Sequence, residues 1–171
     1  MTMLSLDLTR LDREGSVELK ACLPAASAIW EGSGVKWDGS VEVKLTASLA
    51  GSGEIVVRGS LDGRLKQECR RCLEPVGGEV DHELTLVFVA ADEKGAEDDD
   101  GVHVYGQSTE IDLSNAVREE VVFAVDPYVI CKSDCKGLCS RCGINRNKQT
   151  CDCTEDHTDP RWEALRVLKE K

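Results

Sequence analysis

The stretch CKGLCSRCGINRNKQTCDC, residues 135–153, holds five cysteines, two glycines and two asparagines, with almost no large apolar side chain. Such a segment cannot bury enough surface to hold itself in shape, so its constraint must come from another source. Cys139-x-x-Cys142 has the spacing at which a tight turn aims two sulfurs at one ion, and Cys69-x-x-Cys72 repeats it. Backbone N–H groups in such turns also hydrogen-bond the sulfurs and spread their charge. Gly143, directly after Cys142, suits a turn that needs positive φ. Cys151-x-Cys153 offers two further thiolates. A structural zinc on four thiolates contributes about 10–16 kcal/mol in apparent terms, enough to fold a coreless segment.

The simplest assignment is two sites. Cys69, Cys72, Cys131 and Cys135 form one, and Cys139, Cys142, Cys151 and Cys153 the other. The cofactor expected is Zn2+, one or two ions. Eight of nine cysteines are then used, leaving Cys22 as a buried, inert thiol. A single site from Cys135, Cys139, Cys142 and one of Cys151 or Cys153 also fits the spacing. A thioredoxin-like role for Cys69 and Cys72 would require a strand-to-helix junction, whereas the pair falls between two strands. Four thiolates can also hold an iron–sulfur cluster. Cys131, Cys135 and Cys139 have the spacing of one helix face, but Gly137 makes that helix poor. His82 falls in a strand, and His157 is close enough in sequence to serve as a spare ligand.

The chain is long enough, at 171 residues, for one domain with an appendage. Period-two alternation marks strands at Leu4, Leu6 and Leu8, and at Val41, Val43, Leu45, Ala47 and Leu49. EIVVRGSLDGRLKQE continues as a long strand with bends at Gly59 and Gly63, and VGGEVDHELTLVFVA leads back. Cys69 and Cys72 then sit at the tip of a long hairpin. ADEKGAEDDDG reads as a solvated, mobile loop. Leu113, Ala116, Val117, Val121 and Ala124 recur at helix spacing over about 112–125, with Asp112 or Ser114 as the cap and an end before Pro127. DPRWEALRVLKEK suggests a short C-terminal helix with Pro160 near its start and Trp162, Leu165, Val167 and Leu168 free to pack. The fold class expected is α+β: an antiparallel β meander or partial barrel with one or two helices and a C-terminal Cys-rich zinc module. Residues 1–130 form the β-rich domain, and residues 131–171 the module.

Charge narrows the function. A net charge of −11 opposes wholesale wrapping of nucleic acid. Yet basic residues gather where cysteines gather. Lys132, Lys136, Arg141, Arg146 and Lys148 face only Asp134 and Asp152 across residues 131–153, and Arg64, Lys66, Arg70 and Arg71 outnumber Asp62 and Glu68 around the first pair. Solvated loop charges would give the same pattern. No targeting signal is visible, and the longest apolar run, LTLVFVAA, is too short to span a bilayer. The chain therefore reads as cytoplasmic, where thiols stay reduced and disulfides are not expected. No phosphate-cradling loop or nucleophile elbow occurs. All-thiolate sites leave no open metal position, which argues against an enzyme.

Four segments together resemble the bacterial and plastid YceD family of large ribosomal RNA subunit accumulation proteins. They are ECRRCLEPV (68–76), IDLSNAVREEVVFAVDP (111–127), CKSDCKGLCSRCGINRNKQTCDC (131–153) and DPRWEAL (159–165). The resemblance implies a role in accumulation or maturation of large-subunit ribosomal RNA, with no catalytic residues to carry over. Some family members keep the hairpin pair and lack most C-terminal cysteines, and Arg146 stands where a Leu is common. On this reading Arg70, Arg71, Lys136, Arg141, Arg146 and Lys148 are the residues offered to rRNA phosphates, in free rRNA or a pre-ribosomal particle. The alternative is a protein-binding adaptor or chaperone for a basic ribosomal protein, which the net charge favours. An enzyme such as a metal-assisted nuclease would have to draw on the acids of AEDDDG.

Overall fold

Val41, Val43, Leu45 and Ala47 are buried and the residues between them exposed along one strand, Val41–Leu49, so alternation sets which face meets the core. A computed structural model describes residues 4–51, 53–91, 101–153 and 161. In chain order the elements are β1 (Ser5–Asp7), α1 (Leu8–Glu14), β2 (Ser16–Leu23), a 3-10 turn (Ala28–Trp30), β3 (Val41–Leu49), β4 (Ile55–Glu68), β5 (Pro75–Ala90), β6 (Val102–Tyr105), β7 (Glu110–Asp112) and α2 (Ser114–Ala124). The fold is α+β.

The main sheet has the order β2-β3-β4-β5-β6 and is not a closed barrel. Strands β2 to β5 form the expected antiparallel meander, whereas β6 pairs with β5 in parallel, Val87 opposite Val102. A separate antiparallel pair, β1 with β7, sets Leu6 opposite Ile111. Helix α2 turns Ala116, Val117 and Val121 into the core and packs against β5 and the 3-10 turn. Its N-cap is Leu113, not Asp112 or Ser114; the Asp112 carboxylate instead accepts the Ser114 N–H at 2.9 Å.

Two further sequence expectations need correction. Leu8 starts a helix and does not extend a strand: Asp7 caps α1 by accepting the Arg10 N–H, and Gly15 ends it in the left-handed region. Cys22 is exposed, not buried. It lies on edge strand β2 with the parity of Glu18 and Lys20, while Val17 and Leu23 face inward. The expected long strand β4 runs through Gly59 and Gly63. Both glycines permit close approach: a Cβ at Gly59 would fall on the Lys44 carbonyl oxygen, and one at Gly63 on the Trp37 ring at 2.8 Å.

The β4–β5 hairpin outruns the rest of the sheet. β3 pairs with β4 only as far as Asp62. Beyond that, residues 36–38 lie along the hairpin: Lys66 N–H donates to Lys36 C=O and Asp38 N–H to Arg64 C=O, with Trp37 buried opposite Leu65. The supported hairpin carries its tip, residues 69–74, away from the main core. The acidic stretch 92–100, the C-terminal helix expected after Pro160, and His157 lie outside the described residues.

Candidate metal centres

Two turns of the same construction carry the CxxC pairs. In the first, Leu73 N–H donates to Cys69 C=O and Cys69 N–H to Glu74 C=O, each at 2.8 Å. In the second, Gly143 N–H donates to Cys139 C=O and Cys139 N–H to Ile144 C=O, each at 2.9 Å. The residue after each second cysteine has positive φ, 59° at Leu73 and 72° at Gly143. Leucine adopts that conformation reluctantly, and its side chain stays exposed. A sterically costly turn retained at a cysteine pair is what a sulfur-aiming constraint would require.

The tail is strapped across the hairpin tip. Arg70 N–H donates to Val129 C=O at 3.0 Å and Leu138 N–H to Arg71 C=O at 2.9 Å, and the Arg71 guanidinium reaches Cys135 C=O at 3.2 Å. Gly137, at φ 70°, passes so close to the tip that a Cβ there would sit 3.0 Å from Arg71 C=O. The strap brings Cys131 and Cys135 over Cys69 and Cys72. Cys69 and Cys135 sulfurs lie 3.8 Å apart, and Cys72 and Cys131 sulfurs 3.6 Å. A tetrahedral ion with Zn–S bonds of about 2.3 Å would set neighbouring sulfurs about 3.8 Å apart, so the spacing fits a tetrathiolate ion and is far too long for disulfides.

Cys139, Cys142, Cys151 and Cys153 form the second group, and within each group every sulfur lies within 4.8 Å of the others. Either tetrad could hold a metal ion. The two differ in setting. Cys69, Cys72 and Cys135 are buried and pack with Val76, while the second tetrad is half-buried or exposed. Cys22 joins neither.

The thiols are polarised in pairs. Burial opposes ionisation of Cys69, but the backbone N–H groups of Cys131, Cys72 and Arg71 outweigh it and bring its pKa to about 6. Burial likewise opposes ionisation of Cys135, and the Gly137 N–H and the Asn147 amide draw it below its usual value. Cys131 is pushed up to about 12 by burial and by the Cys135, Cys72 and Cys69 side chains. Cys72 is pulled down by the Glu74 N–H but ends raised through burial and the Cys69 side chain. In the second tetrad the Cys142 and Arg141 N–H groups lower Cys139 to about 6, while Cys153 rises to about 12, chiefly through the Cys142 side chain. In the first tetrad two thiols are lowered and two raised, so partly ionised sulfurs face one another in a nest that a divalent cation would complete.

Sequence reading missed a polar bracket between the tetrads. Asn145 donates to the Glu74 carboxylate at 3.1 Å, and its own Oδ1 accepts from the Asn147 backbone and side-chain N–H groups. Asn147 donates to Cys135 Sγ at 3.3 Å. Lys148 closes the bracket on Glu74 at 2.7 Å, and it is the main reason the Glu74 carboxyl sits below its usual range. The signal available was an Asn-x-Asn between cysteine pairs, residue types that bond backbone and side chain locally.

The six basic residues separate into two groups. Arg70 stacks over the Tyr128 ring at 4.6 Å, Arg71 holds the Cys135 carbonyl, and Lys148 is paired with Glu74. Lys136, Arg141 and Arg146 line a cavity of about 170 Å³ against the second tetrad. His82 is elsewhere, on β5 with Nε2 3.6 Å from a Glu120 oxygen. No helix among the described residues is long and apolar enough to cross a membrane.

Comparison with known proteins matches residues 57–169 to the family model described as large ribosomal RNA subunit accumulation protein YceD. That span takes in the hairpin, α2 and both tetrads. The chain is 37% identical over 73 residues to a protein of Arabidopsis thaliana named large ribosomal RNA subunit accumulation protein YCED homolog 1, chloroplastic, covering 43% of this chain and 23% of the relative. An uncharacterized protein of Mycobacterium tuberculosis is 33% identical over 115 residues, 65% of this chain and 54% of the relative. One of Mycobacterium leprae is 29% identical over 165 residues, 93% and 74%. The match thus spans about half of the tuberculosis relative and less than a quarter of the plant one. No solved structure matches the chain. With the family model covering both cysteine pairs, the hairpin between β4 and β5 and the strap across it, the chain belongs to the YceD family.

Proposed function

We propose that this chain is a non-enzymatic, zinc-binding factor for accumulation or maturation of large-subunit ribosomal RNA, acting in the cytoplasm on rRNA or a pre-ribosomal particle. The observation that carries the reading is the pair of tetrathiolate-shaped groups inside the span matched by the family model. The Arabidopsis relative's name supports the ribosomal part. Cys69, Cys72, Cys131 and Cys135 would hold one ion, and Cys139, Cys142, Cys151 and Cys153 a second. Four thiolates around each ion leave no position for a reacting water, so the ions serve shape. Zinc fits such clasps better than a redox-active metal, because a clasp gains nothing from electron transfer.

The functional division falls near residue 130: residues 1–130 supply the scaffold, and residues 131–171 the module mounted on its hairpin. Arg70, Arg71, Lys136, Arg141, Arg146 and Lys148, gathered near the cysteines on a chain that is otherwise acidic, would supply the contacts to rRNA phosphates. Phosphate contacts of this kind position an RNA without reading its sequence. The test is depletion of the protein in its own host, followed by complementation. A fall in large-subunit rRNA relative to small-subunit rRNA, rescued by the wild type and not by Cys72→Ser, supports the proposal. An unchanged ratio overturns it.

A second reading, an adaptor for a basic ribosomal protein, is favoured by one observation. Phe123 is 86% exposed and Tyr128 66%, an apolar display that suits a protein partner as well as a base. Capture of partners before and after ribonuclease treatment separates the two: partners that survive digestion favour the adaptor.

A further inference from the structure

The six bases offered to RNA are not equivalent, and their placement singles out one pocket. Arg70, Arg71 and Lys148 contact a ring, a carbonyl and a carboxylate elsewhere in the chain. Lys136, Arg141 and Arg146 all line the cavity beside the second tetrad, together with Ser140 and Thr150. We propose that this recess is a phosphate subsite, built to hold one phosphate group of a nucleotide chain; the inference rests on the rRNA reading above and narrows it to one place.

Three features argue for that ligand. Three cationic residues, Ser140 and Thr150 line the recess, and no carboxylate residue lines it among the described residues. Phosphate oxygens accept hydrogen bonds and carry charge, so they match this set. Arg141 and Arg146 also make contacts within the chain, and a guanidinium with five donors can serve a second acceptor. The volume of about 170 Å³ is below the about 300–1,000 Å³ usual for whole small-molecule sites, so the recess suits one group of a larger ligand. Finally, Cys139, Cys151 and Cys153 form part of its wall. Opening the tetrad would therefore remove part of the wall of the subsite. On a chain of net charge −11, a polyanion gains attraction only where cations are concentrated.

The experiment uses the full zinc-loaded chain, with backbone amide spectra recorded during titration. The probes are uridylyl-(3′→5′)-uridine, which has only an internal phosphodiester, and uridine 5′-monophosphate, which has only a terminal phosphate. Saturable shifts at Lys136, Ser140, Arg141, Arg146 and Thr150 are expected, and the probe that saturates first identifies the kind of phosphate taken. Lys136→Gln should weaken that binding by about tenfold, as expected for loss of one charged hydrogen bond. Arg141→Gln serves as a second variant, and in each case metal content and the β-sheet amides report on folding. Absence of saturable shifts in this recess, or identical binding by both folded variants, overturns the subsite. If rRNA fragments still protect other surfaces, the ribosomal reading survives that loss. If the nucleotides saturate the recess but no rRNA fragment binds, the subsite stands and the rRNA reading falls.

Discussion

The side-chain amide of Asn147 donates to Cys135 Sγ at 3.3 Å while its oxygen accepts the Lys136 N–H at 2.9 Å. One residue of the second turn thus holds both a sulfur of the first tetrad and the backbone next to it. Asn145, two positions earlier, ties the same turn to Glu74 beyond Cys72. The two cysteine groups are consequently parts of one bracket, although no cysteine is shared between them.

Asn147→Ala should therefore weaken metal retention at the first tetrad, which does not contain it. Loss of an outer hydrogen bond to a ligand typically costs about 10–100-fold in metal affinity. Competition with a chromogenic chelator should show one of two ions released sooner. Release of both ions at the wild-type rate would show that the amide does not support Cys135.

Breaking the two tetrads should have unequal consequences. Cys72→Ser removes a sulfur from the group that fastens the strap to the hairpin, where a bound ion's apparent binding energy of about 10–16 kcal/mol would become folding energy. Hydrogen exchange should quicken at the Arg70 and Leu138 amides, which bond Val129 and Arg71 across that junction. Cys142→Ser should quicken exchange at Cys139 and Gly143 and leave Arg70 protected. Equal loss of protection at all four amides in both variants would contradict the division.

The strands and the cysteine grouping were legible in the sequence for different reasons. Alternation in β3 exposes which face is buried, and a CxxC spacing brings its two sulfurs together whatever surrounds it. Helix α1 was not legible because Leu4, Leu6 and Leu8 continue a strand rhythm across its start, although Asp7 and Gly15 carry the capping signals. The parallel pairing of β6 depends on how the chain crosses after Ala90, which no local pattern encodes. The division of the basic residues was also hidden. Whether Arg71 meets a carbonyl and Lys136 a recess depends on the strap, and the strap depends on contacts between residues about 60 positions apart.

Gly59 marks where β3 and β4 approach too closely for any side chain. A Cβ there would strike the Lys44 carbonyl and lie 2.8 Å from Leu45 Cα. Both are backbone atoms of a paired strand and cannot rotate aside. Gly59→Ala should cost at least about 3 kcal/mol in chemical unfolding. Gly78→Ala, with open space around its Cβ, should change stability by no more than about 0.5 kcal/mol. Comparable costs for the two would rule out the close approach as the reason for glycine in β4.

Metal binding at the first tetrad should release protons near neutral pH, but fewer than four, because bound thiolates are proton-free while the empty group retains most of its protons except at Cys69. Cys69 is brought to about 6 and Cys135 is drawn below its usual value, whereas Cys72 and Cys131 are raised and hold their protons. The bound state holds fewer protons than the empty one, so affinity rises with pH. Below about 6 Cys69 also takes up a proton, and the dependence on pH should steepen there. Titration of zinc into the metal-free chain carrying Cys142→Ser and Cys151→Ser isolates this group. Calorimetry in buffers of different ionisation enthalpy then counts the protons directly. Release of four would mean that the N–H groups around Cys69 do not stabilise its thiolate. Release of none would mean that all four sulfurs are already ionised, and the repulsion that raises Cys131 would be absent.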